Sequence, residues 1–392
     1  MRHNFDEIIN RRVSECKKYE AACYPEDVLP MWIADTDFAV PAEISEAIQQ
    51  RAKHPCFGYP IESFEFEEAA ARWERVRFGW NVDPHWVKYA NGVLPFLMYA
   101  IRAYSYPGDK VVIQPPVYPP FSAIVRNNGR QLLENRLVQD ENGKYQIDFD
   151  DLEKKLKDPR TKLFFMSNPH NPAMRCFTLE ELKRIGELCL KYNVLVISDE
   201  IHCDLTYQGY KHIPFGSISE EFANNCIVLI NPSKTFNIAG FRTGAAIIPN
   251  KRIRDNIEIT IVNNKNYGRT IFGMLTFVTA YTKCDYYADE MMQYLQQSRD
   301  MMMAYMKERI PPHQASRTGS DLSDVAGLPG SEYDPGRTEG IHVQQSKAGP
   351  ERRRHLRYRR HRLHAHEHRL SAVHRGTGAG AAGKGCKRAV IS

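Results

Sequence analysis

Short apolar segments alternate with amphipathic segments through the first two-thirds of the chain. The apolar segments are rich in β-branched and aromatic residues, as strands are. They are KVVIQPPVY (110–118), KLFFMSNP (162–169), VLVISDEIH (194–202), CIVLINPSK (226–234) and GAAIIPN (244–250). Because these segments are apolar on both faces, they predict a mostly parallel sheet that helices cover on both sides.

The segment TLEELKRIGELCLKYN, between the second and third predicted strands, predicts one of these covering helices. Thr178 and Glu181 have the spacing of a capping box, which marks a helix start. Apolar residues recur at helical spacing and predict a buried stripe formed by Leu179, Leu182, Ile185, Leu188 and Leu190. Strands that alternate with such helices indicate an α/β fold.

Polar residues follow several of the predicted strands directly. They are Tyr118, the stretch 168–171, the stretch 199–202, and the pair Ser233 and Lys234. In open parallel sheets, ligands bind beyond the carboxyl ends of the strands. The sequence therefore predicts a ligand site at this edge of the sheet.

A lysine in the segment NPSKTFNIAGFRTG (231–244) follows an apolar strand. A partly desolvated Lys234 would suit Schiff-base chemistry. Ser233 and Arg242 flank it with groups that can bind phosphate. On its position alone, Lys234 could equally be an ordinary lysine of a surface loop.

The other polar residues each have a functional and a purely structural interpretation. Asp199 could keep a pyridinium nitrogen protonated, but it could also cap a helix or bind a metal. His202 by itself is more often a hydrogen-bonded structural histidine, and Asn171 could bond a ring oxygen or belong to a simple turn. Tyr118 offers a flat face for stacking on an aromatic cofactor. The backbone of Gly92 and Val93 in NGVLPF could donate N–H groups to phosphate at a helix start.

Taken in order, these motifs resemble those of fold-type I pyridoxal-phosphate (PLP) enzymes, in the class I/II aminotransferase superfamily. PMWIADTDFAVP (30–41), FGYP (57–60), SDEIHCDL (198–205) and PSKTFNIAG (232–240) resemble the cystathionine β-lyase, or C–S lyase, branch more narrowly. The resemblance extends from about residue 4 to about residue 310. It implies a large domain with a mostly parallel seven-stranded sheet and helices on both faces, plus a small α+β domain.

The resemblance also implies a role for each matching residue. Lys234 would bind PLP as a Schiff base and then move the α-proton, while Asp199 would pair with the pyridine nitrogen. The remaining cofactor contacts would be Asn171 at the ring oxygen, Tyr118 stacked on the ring, His202 near the ring oxygen, and Ser233, Arg242, Gly92 and Val93 at the phosphate. Tyr59 would reach the phosphate of a neighbouring subunit, which implies a homodimer, and Trp32 and Ala34 would line the substrate pocket.

These roles imply a β-elimination reaction on a small amino-acid substrate. Lys234 would remove the α-proton of cystathionine, cysteine or a related thioether, and thiol, pyruvate and ammonia would be formed. An aminotransferase of the same superfamily is the first alternative. A PLP-binding regulatory homologue without activity is the second.

One residue departs from the family pattern within the matching region. NPHNPAMR has Met174 where the family usually has glycine. If this position needs a positive φ, methionine is strained there. We expect a local adjustment that leaves the site in place.

Composition indicates a cytoplasmic protein. The nine cysteines are scattered without a C-x-x-C pair, and the polar start MRHNFDEIINRR has no apolar core for export. No stretch approaches the length of apolar residues that a membrane helix needs. The net charge of +6 comes from residues 311–392, which hold 15 Lys and Arg against 7 Asp and Glu. The rest of the chain gives no electrostatic reason to expect nucleic acid or membrane as a partner.

These features divide the chain into four predicted parts. Residues 1–45 would contribute to the small domain, and residues 46–285 would form the PLP-binding large domain. Residues 286–311 would begin the C-terminal part of the small domain. Residues 312–392 form an aberrant tail.

Three interpretations of the tail compete. A metal site would use His361, His364, His366 and His368, but a histidine run without cysteine or acidic partners is a weak signal. A nucleic-acid arm would use the arginine run, although such composition more often gives a solvated basic stretch. The third interpretation is a shifted reading frame.

The shifted frame is testable by back-translation. With suitable codons, HAHEHRLSA read one base later becomes MRMNIACP, which is the family's arginine motif. The same shift converts RTEGIHVQQSKAGPERRRHLRYRRHRL into EPKAFMFNKARLALNEGDIFGTEGTGF, and RGTGAGAAGKGCKRAV into the amphipathic GEQALEQLEKAVNA. We therefore predict that residues 312–392 are a frameshift product or a sequencing artefact. A chain with this tail would lack the arginine that grips the substrate carboxylate, and it would bind substrate poorly.

Overall fold

The structure of the chain is a computed structural model that describes residues 1–20, 28–31, 33–61, 63–141, 143–264, 268–309, 342–344 and 357–359. Its described residues fall into two compact units. One unit contains residues 1–7 and 38–309, and the other contains residues 8–37 and two short strands farther along the chain. No helix in these ranges is both long enough and apolar enough to cross a membrane.

The secondary structure alternates between helices and strands, as the apolar pattern predicts. The helices are α1 Ala42–Ala52, α2 Glu65–Phe78, α3 Val93–Tyr104, α4 Pro120–Asn127, α5 Phe149–Leu156, α6 Leu179–Lys191, α7 Glu220–Ala223, α8 Lys251–Asn263, α9 Ile271–Lys283 and α10 Asp285–Arg309. The strands are β1 Val28–Leu29, β2 Val87–Ala90, β3 Lys110–Ile113, β4 Gln131–Glu134, β5 Val138–Gln139, β6 Tyr145–Gln146, β7 Thr161–Ser167, β8 Leu195–Asp199, β9 Cys226–Ile230, β10 Gly244–Ile247, β11 His342–Gln344 and β12 Arg357–Arg359.

The larger unit is built on a seven-stranded sheet with the order β2-β10-β9-β8-β7-β3-β4. The five strands from β9 to β4 pair in parallel, whereas β10 is antiparallel to both β9 and β2. This confirms the predicted fold class, a mostly parallel seven-stranded sheet.

The core lies on both faces of this sheet. On β8, Val196 belongs to one buried cluster while Leu195 and Ile197 belong to the other. Helices α2, α6 and α9 contribute to the first cluster, and α3 and α8 contribute to the second. Burial on both faces explains why the strands are apolar throughout instead of alternating with polar residues.

Helix α6 begins with the predicted capping box. The Thr178 side chain accepts a hydrogen bond from the Glu181 N–H, and the Glu181 side chain accepts one from the Thr178 N–H. The predicted stripe is only partly buried. Leu182 and Ile185 are in the core, but Leu179, in the first turn, and Leu190, near the last turn, are exposed.

The smaller unit contains a three-stranded antiparallel sheet. Strand β1 pairs with β11, which in turn pairs with β12. Apart from β11 and β12, the predicted tail lies outside the described residues. This includes His361, His364, His366 and His368. The four predicted domain parts therefore stay a prediction.

Candidate active site

Asp199 ends the central strand β8, and backbone hydrogen bonds fix it between the neighbouring strands. The Asn168 N–H donates to the Asp199 carbonyl over 2.9 Å, and the Glu200 N–H donates to the Leu229 carbonyl over 2.8 Å. The Asp199 side chain is only 4% exposed. The centre of the sheet edge therefore presents a rigidly placed, buried carboxyl group.

Burial dominates the chemistry of this carboxyl group. Burial raises the pKa of Asp199, and the charge of Glu200 raises it further. A hydrogen bond from the Ile201 N–H and the charge of Lys234 lower it. The net result is a pKa of about 7 instead of 3.8. A cationic ring nitrogen next to the Asp199 carboxylate would add a counter-charge that favours the ionised form.

Lys234 lies in the loop that follows β9, where the sequence predicts it. The Ser233 N–H donates to Asn231 Oδ1 over 2.8 Å, and the Phe236 N–H donates to the Pro232 carbonyl over 2.9 Å. These bonds hold the loop in a tight turn. Lys234 is half-buried, so its environment is not that of an ordinary surface lysine.

His202 and Tyr118 each interact electrostatically with one of these two groups. Burial, and after it the charge of Lys234, lowers the pKa of His202 to about 4. Burial, and after it the charge of Asp199, raises the pKa of Tyr118. Asp199 and Lys234 also interact with each other, so electrostatic interactions link all four residues. Tyr118 is 37% exposed and keeps an accessible ring.

The residues predicted to hold phosphate lie at the start of α3 and in the connection between β9 and β10. Gly92 precedes α3 with φ of 94°, a conformation that glycine adopts without strain. The first N–H groups of α3, beginning at Val93, have no intrahelical acceptor. Ser233 is buried, whereas the side chain of Arg242 is exposed, just before β10.

The loop after β7 contains Asn171 and Met174. The Asn171 N–H donates to Ser167 Oγ over 3.2 Å, which ties Asn171 to the end of the strand. Met174 has φ of 53°, so this position does take the left-handed conformation in which glycine would be unstrained. The loop is still closed, because the Met174 N–H donates to the His170 carbonyl over 2.7 Å.

The described structure does not test the roles of three predicted residues. Tyr59 is fully exposed, and the neighbouring Phe57 and Ile61 are also exposed. Ala34 belongs to the smaller unit, next to Asp35, which accepts a hydrogen bond from Arg11 Nη2 over 2.8 Å. Trp32 lies outside the described residues. Their roles stay predictions.

Sequence reasoning counted the stretch 199–202 among the polar residues at the sheet edge but gave no role to Glu200, a buried polar group next to Asp199. Glu200 accepts hydrogen bonds from Ser198 Oγ over 2.7 Å and from the Phe215 N–H over 3.0 Å. Its second oxygen lies 2.7 Å from His212 Nε2, and both side chains are fully buried. The position of Glu200, directly after a buried strand, was the available signal.

The residues present fit a phosphorylated pyridine aldehyde better than a metal ion. The site combines a buried carboxyl group, a half-buried lysine, an accessible aromatic ring and free N–H groups at a helix start. In the described ranges, no group of three or more His, Cys, Asp or Glu side chains is arranged to hold a metal ion.

Comparisons with known proteins agree with this geometry. Residues 26–320 match the family described as aminotransferase class I and II. The cystathionine beta-lyase PatB of Bacillus subtilis (strain 168) is 42% identical over 285 residues, which cover 73% of each chain. Among solved structures, cystalysin from Treponema denticola, which contains pyridoxal 5'-phosphate, is 30% identical with a TM-score of 0.76, covering 79% of this chain and 80% of that one. The PLP-bound C-S lyase from Staphylococcus hominis is 29% identical with a TM-score of 0.73, covering 79% and 78%.

Proposed function

The chain belongs to the class I and II aminotransferase family and is a pyridoxal-phosphate-dependent enzyme of the C–S lyase kind, and from this premise we propose that it catalyses β-elimination on cystathionine, cysteine or a related S-substituted amino acid. The products would be a thiol, pyruvate and ammonia. The observation that supports this most is the close grouping of Lys234 with the buried Asp199 at the sheet edge.

Pyridoxal phosphate, when bound, supplies an electron sink for the electrons of the broken Cα–H bond. Lys234 would hold the cofactor and take up the α-proton of the substrate. The Asp199 carboxylate would keep the proton on the ring nitrogen. The other contacts would come from Asn171 and His202 at the ring oxygen, Tyr118 against the ring face, and Ser233, Arg242, Gly92 and Val93 at the phosphate.

Two further parts of the proposal concern assembly and location. Phe57, Tyr59 and Ile61 place exposed apolar side chains on one loop, which supports a homodimer in which Tyr59 reaches the phosphate of the partner subunit. The seven described cysteines form no disulfide, which supports a reducing, cytoplasmic location.

We also infer that residues 312–392 come from a shifted reading frame. The family match ends at residue 320, and the match with the Bacillus subtilis relative leaves about a quarter of that protein uncovered. Both findings agree with a family-like sequence that continues in another frame. The chain as written should therefore have a weaker grip on the substrate carboxylate than a chain with the frame restored.

The activity is tested by incubating the purified protein and PLP with cystathionine and with cysteine, and measuring pyruvate and sulfide. Lys234→Ala should abolish turnover and the visible absorption band of the bound cofactor. Lys251→Ala, at an exposed lysine of α8, is the matched control and should change neither. Turnover that survives Lys234→Ala would show that the mechanism is wrong.

The same assay separates the alternatives. Formation of a keto acid and pyridoxamine phosphate, without pyruvate, would identify an aminotransferase. An absorption band without turnover, in the chain as written and in the frame-restored chain, would identify a PLP-binding protein without activity. Resequencing the gene tests the frameshift, since an uninterrupted frame that encodes the tail would refute it.

A further inference from the structure

Glu74, on helix α2, is a carboxyl group buried in the core of the larger unit. Its side chain has 0% exposure. Neither of its two carboxyl oxygens has a hydrogen-bond partner among the residues that the structure describes. A buried carboxylate in this situation would be far costlier than a buried neutral acid.

Asp204 and Glu200, whose charges act on Glu74, both accept hydrogen bonds from neighbouring donors. Asp204 accepts from Trp73 Nε1 over 3.2 Å and from Thr235 Oγ1 over 2.9 Å, and Arg77 Nε lies 3.7 Å away. Glu200 has its bonds from Ser198, Phe215 and His212, described above. Asp204 and Glu200 therefore have hydrogen-bond donors for their carboxyl oxygens, whereas Glu74 has none among the described residues.

The titratable groups that interact electrostatically with Glu74 are Glu200, Cys203 and Asp204 after β8, and Tyr281 on α9. Arg77, one turn farther on α2, contacts Asp204, and His212 contacts Glu200. Burial, followed by the charges of Glu200 and Asp204, raises the pKa of Glu74 well above 4.5. The Tyr281 hydroxyl also has no partner in the described ranges, so it supplies no compensating bond.

We propose that Glu74 is a positioning residue that keeps its proton at neutral pH, and that in this uncharged form it supports the segment from Asp199 to Asp204 behind the candidate active site. The segment begins with the predicted partner of the cofactor ring and contains His202. Two more of its side chains, Glu200 and Asp204, are buried, and their charges act on Glu74. The segment 199–204 thus connects the buried acidic side chains around Glu74 to the candidate active site.

The proton on Glu74 limits the negative charge behind Asp199. With Glu74 neutral, Glu200 keeps its contact with His212 and Asp204 keeps its contact with Arg77. A third carboxylate would repel both, and any movement of Glu200 would be passed directly to Asp199, its neighbour in the chain. Loss of this proton at alkaline pH is therefore expected to loosen the site as well as the fold.

The first test compares Glu74→Gln, which is neutral at every pH and of nearly the same shape, with the wild-type chain. An acid whose pKa is raised on folding contributes stability at low pH and loses it as the pH rises above its ordinary value of 4.5. Wild-type stability should therefore fall as the pH rises above 4.5, and Glu74→Gln should reduce that fall. Glu68→Gln, at an exposed position of the same helix, should retain the wild-type pH profile. Equal pH profiles for Glu74→Gln and wild type overturn the proposal.

A second measurement does not depend on the stability of the variant. Asp199, whose pKa is about 7, contributes a protonated-acid carbonyl stretch at neutral pH in wild type and variant alike, so the readout is the difference between the two infrared spectra. The spectrum of the wild type minus that of Glu74→Gln, or of Glu74→Leu if the amide variant does not fold, should contain the carbonyl stretch of one further protonated carboxylic acid. A difference spectrum without that stretch for both replacements overturns the proposal. Neither measurement needs cofactor or turnover, so their failure is distinct from failure of the proposed lyase activity.

The positioning role, which rests on the proposed function, is read from the holoenzyme. The visible band of bound PLP should be lost at a higher pH in Glu74→Gln than in the wild type. If the stability profile changes and the band does not, Glu74 has only a structural role.

Discussion

Replacing Asp199 by asparagine removes a carboxyl group that folding takes out of water. Its pKa rises from 3.8 to about 7, so ionised Asp199 opposes folding by about 4 kcal/mol once the pH exceeds the folded value. The group contributes stability below its ordinary pKa and loses it as the pH rises through the folded pKa. About 3 kcal/mol of this loss should fall between about pH 5 and about pH 8.

Asparagine does not titrate, so this loss is absent from Asp199→Asn. The buried amide has its own cost of about 1–3 kcal/mol, but that cost does not depend on pH. We therefore expect the cofactor-free variant to gain about 3 kcal/mol relative to wild type between about pH 5 and about pH 8. Added PLP should stabilise the wild type much more than the variant, because asparagine has no negative charge to pair with the ring nitrogen.

Urea unfolding of both cofactor-free chains at the two pH values measures the effect. Groups that titrate identically in both chains cancel in the difference between them. Asp150→Asn, at a fully exposed carboxyl group of α5, is the control and should show no comparable change. If the free-energy difference between Asp199→Asn and wild type is the same at both pH values, burial does not set the charge of Asp199.

Three further changes test the local structure, each by urea or thermal unfolding. Met174→Val should destabilise the fold by about 1 kcal/mol or more, because a β-branched residue tolerates the φ of 53° poorly, whereas Met174→Asn should be close to neutral. Gly186→Ala should cost about 1–3 kcal/mol, since the new Cβ would lie 2.4 Å from the Phe222 ring, and adding Phe222→Leu should recover part of the loss. Thr178→Ala should cost about 1 kcal/mol through loss of the cap of α6, and equal stability of this variant and the wild type would contradict the capping role.

The sequence predicted the central strands well because both faces of each are buried. Strands β3, β7, β8 and β9 each contain a continuous apolar run, which is typical of strands that are buried on both faces. Strands β2 and β4 could not be predicted in this way because they lie at the two edges of the sheet and include polar residues, as in Val87–Ala90. The helical spacing predicts α6 correctly. The predicted buried stripe includes too many residues, since Leu179 and Leu190 are exposed.

The site was predictable to the extent that its residues follow strands. Asp199 and Lys234 do so, and their motifs could be read directly. Glu74 could not be found this way, because EFEEAAARWERVRF contains acidic residues that ordinarily face water. Its burial depends on what α9 and the turn after β8 pack against it, and those elements are distant in sequence.

The reversed direction of β10 has a practical consequence for chemical mapping. The chain leaves the site edge after Ile230 and returns to it at Gly244, so Ser233, Lys234 and Arg242 lie on one uninterrupted loop. Trypsin normally cuts this region after Lys211, Lys234 and Arg242. A cofactor fixed covalently to Lys234 would block the middle cut. One missed-cleavage peptide, from His212 to Arg242, would then identify Lys234 as the attachment point of the cofactor.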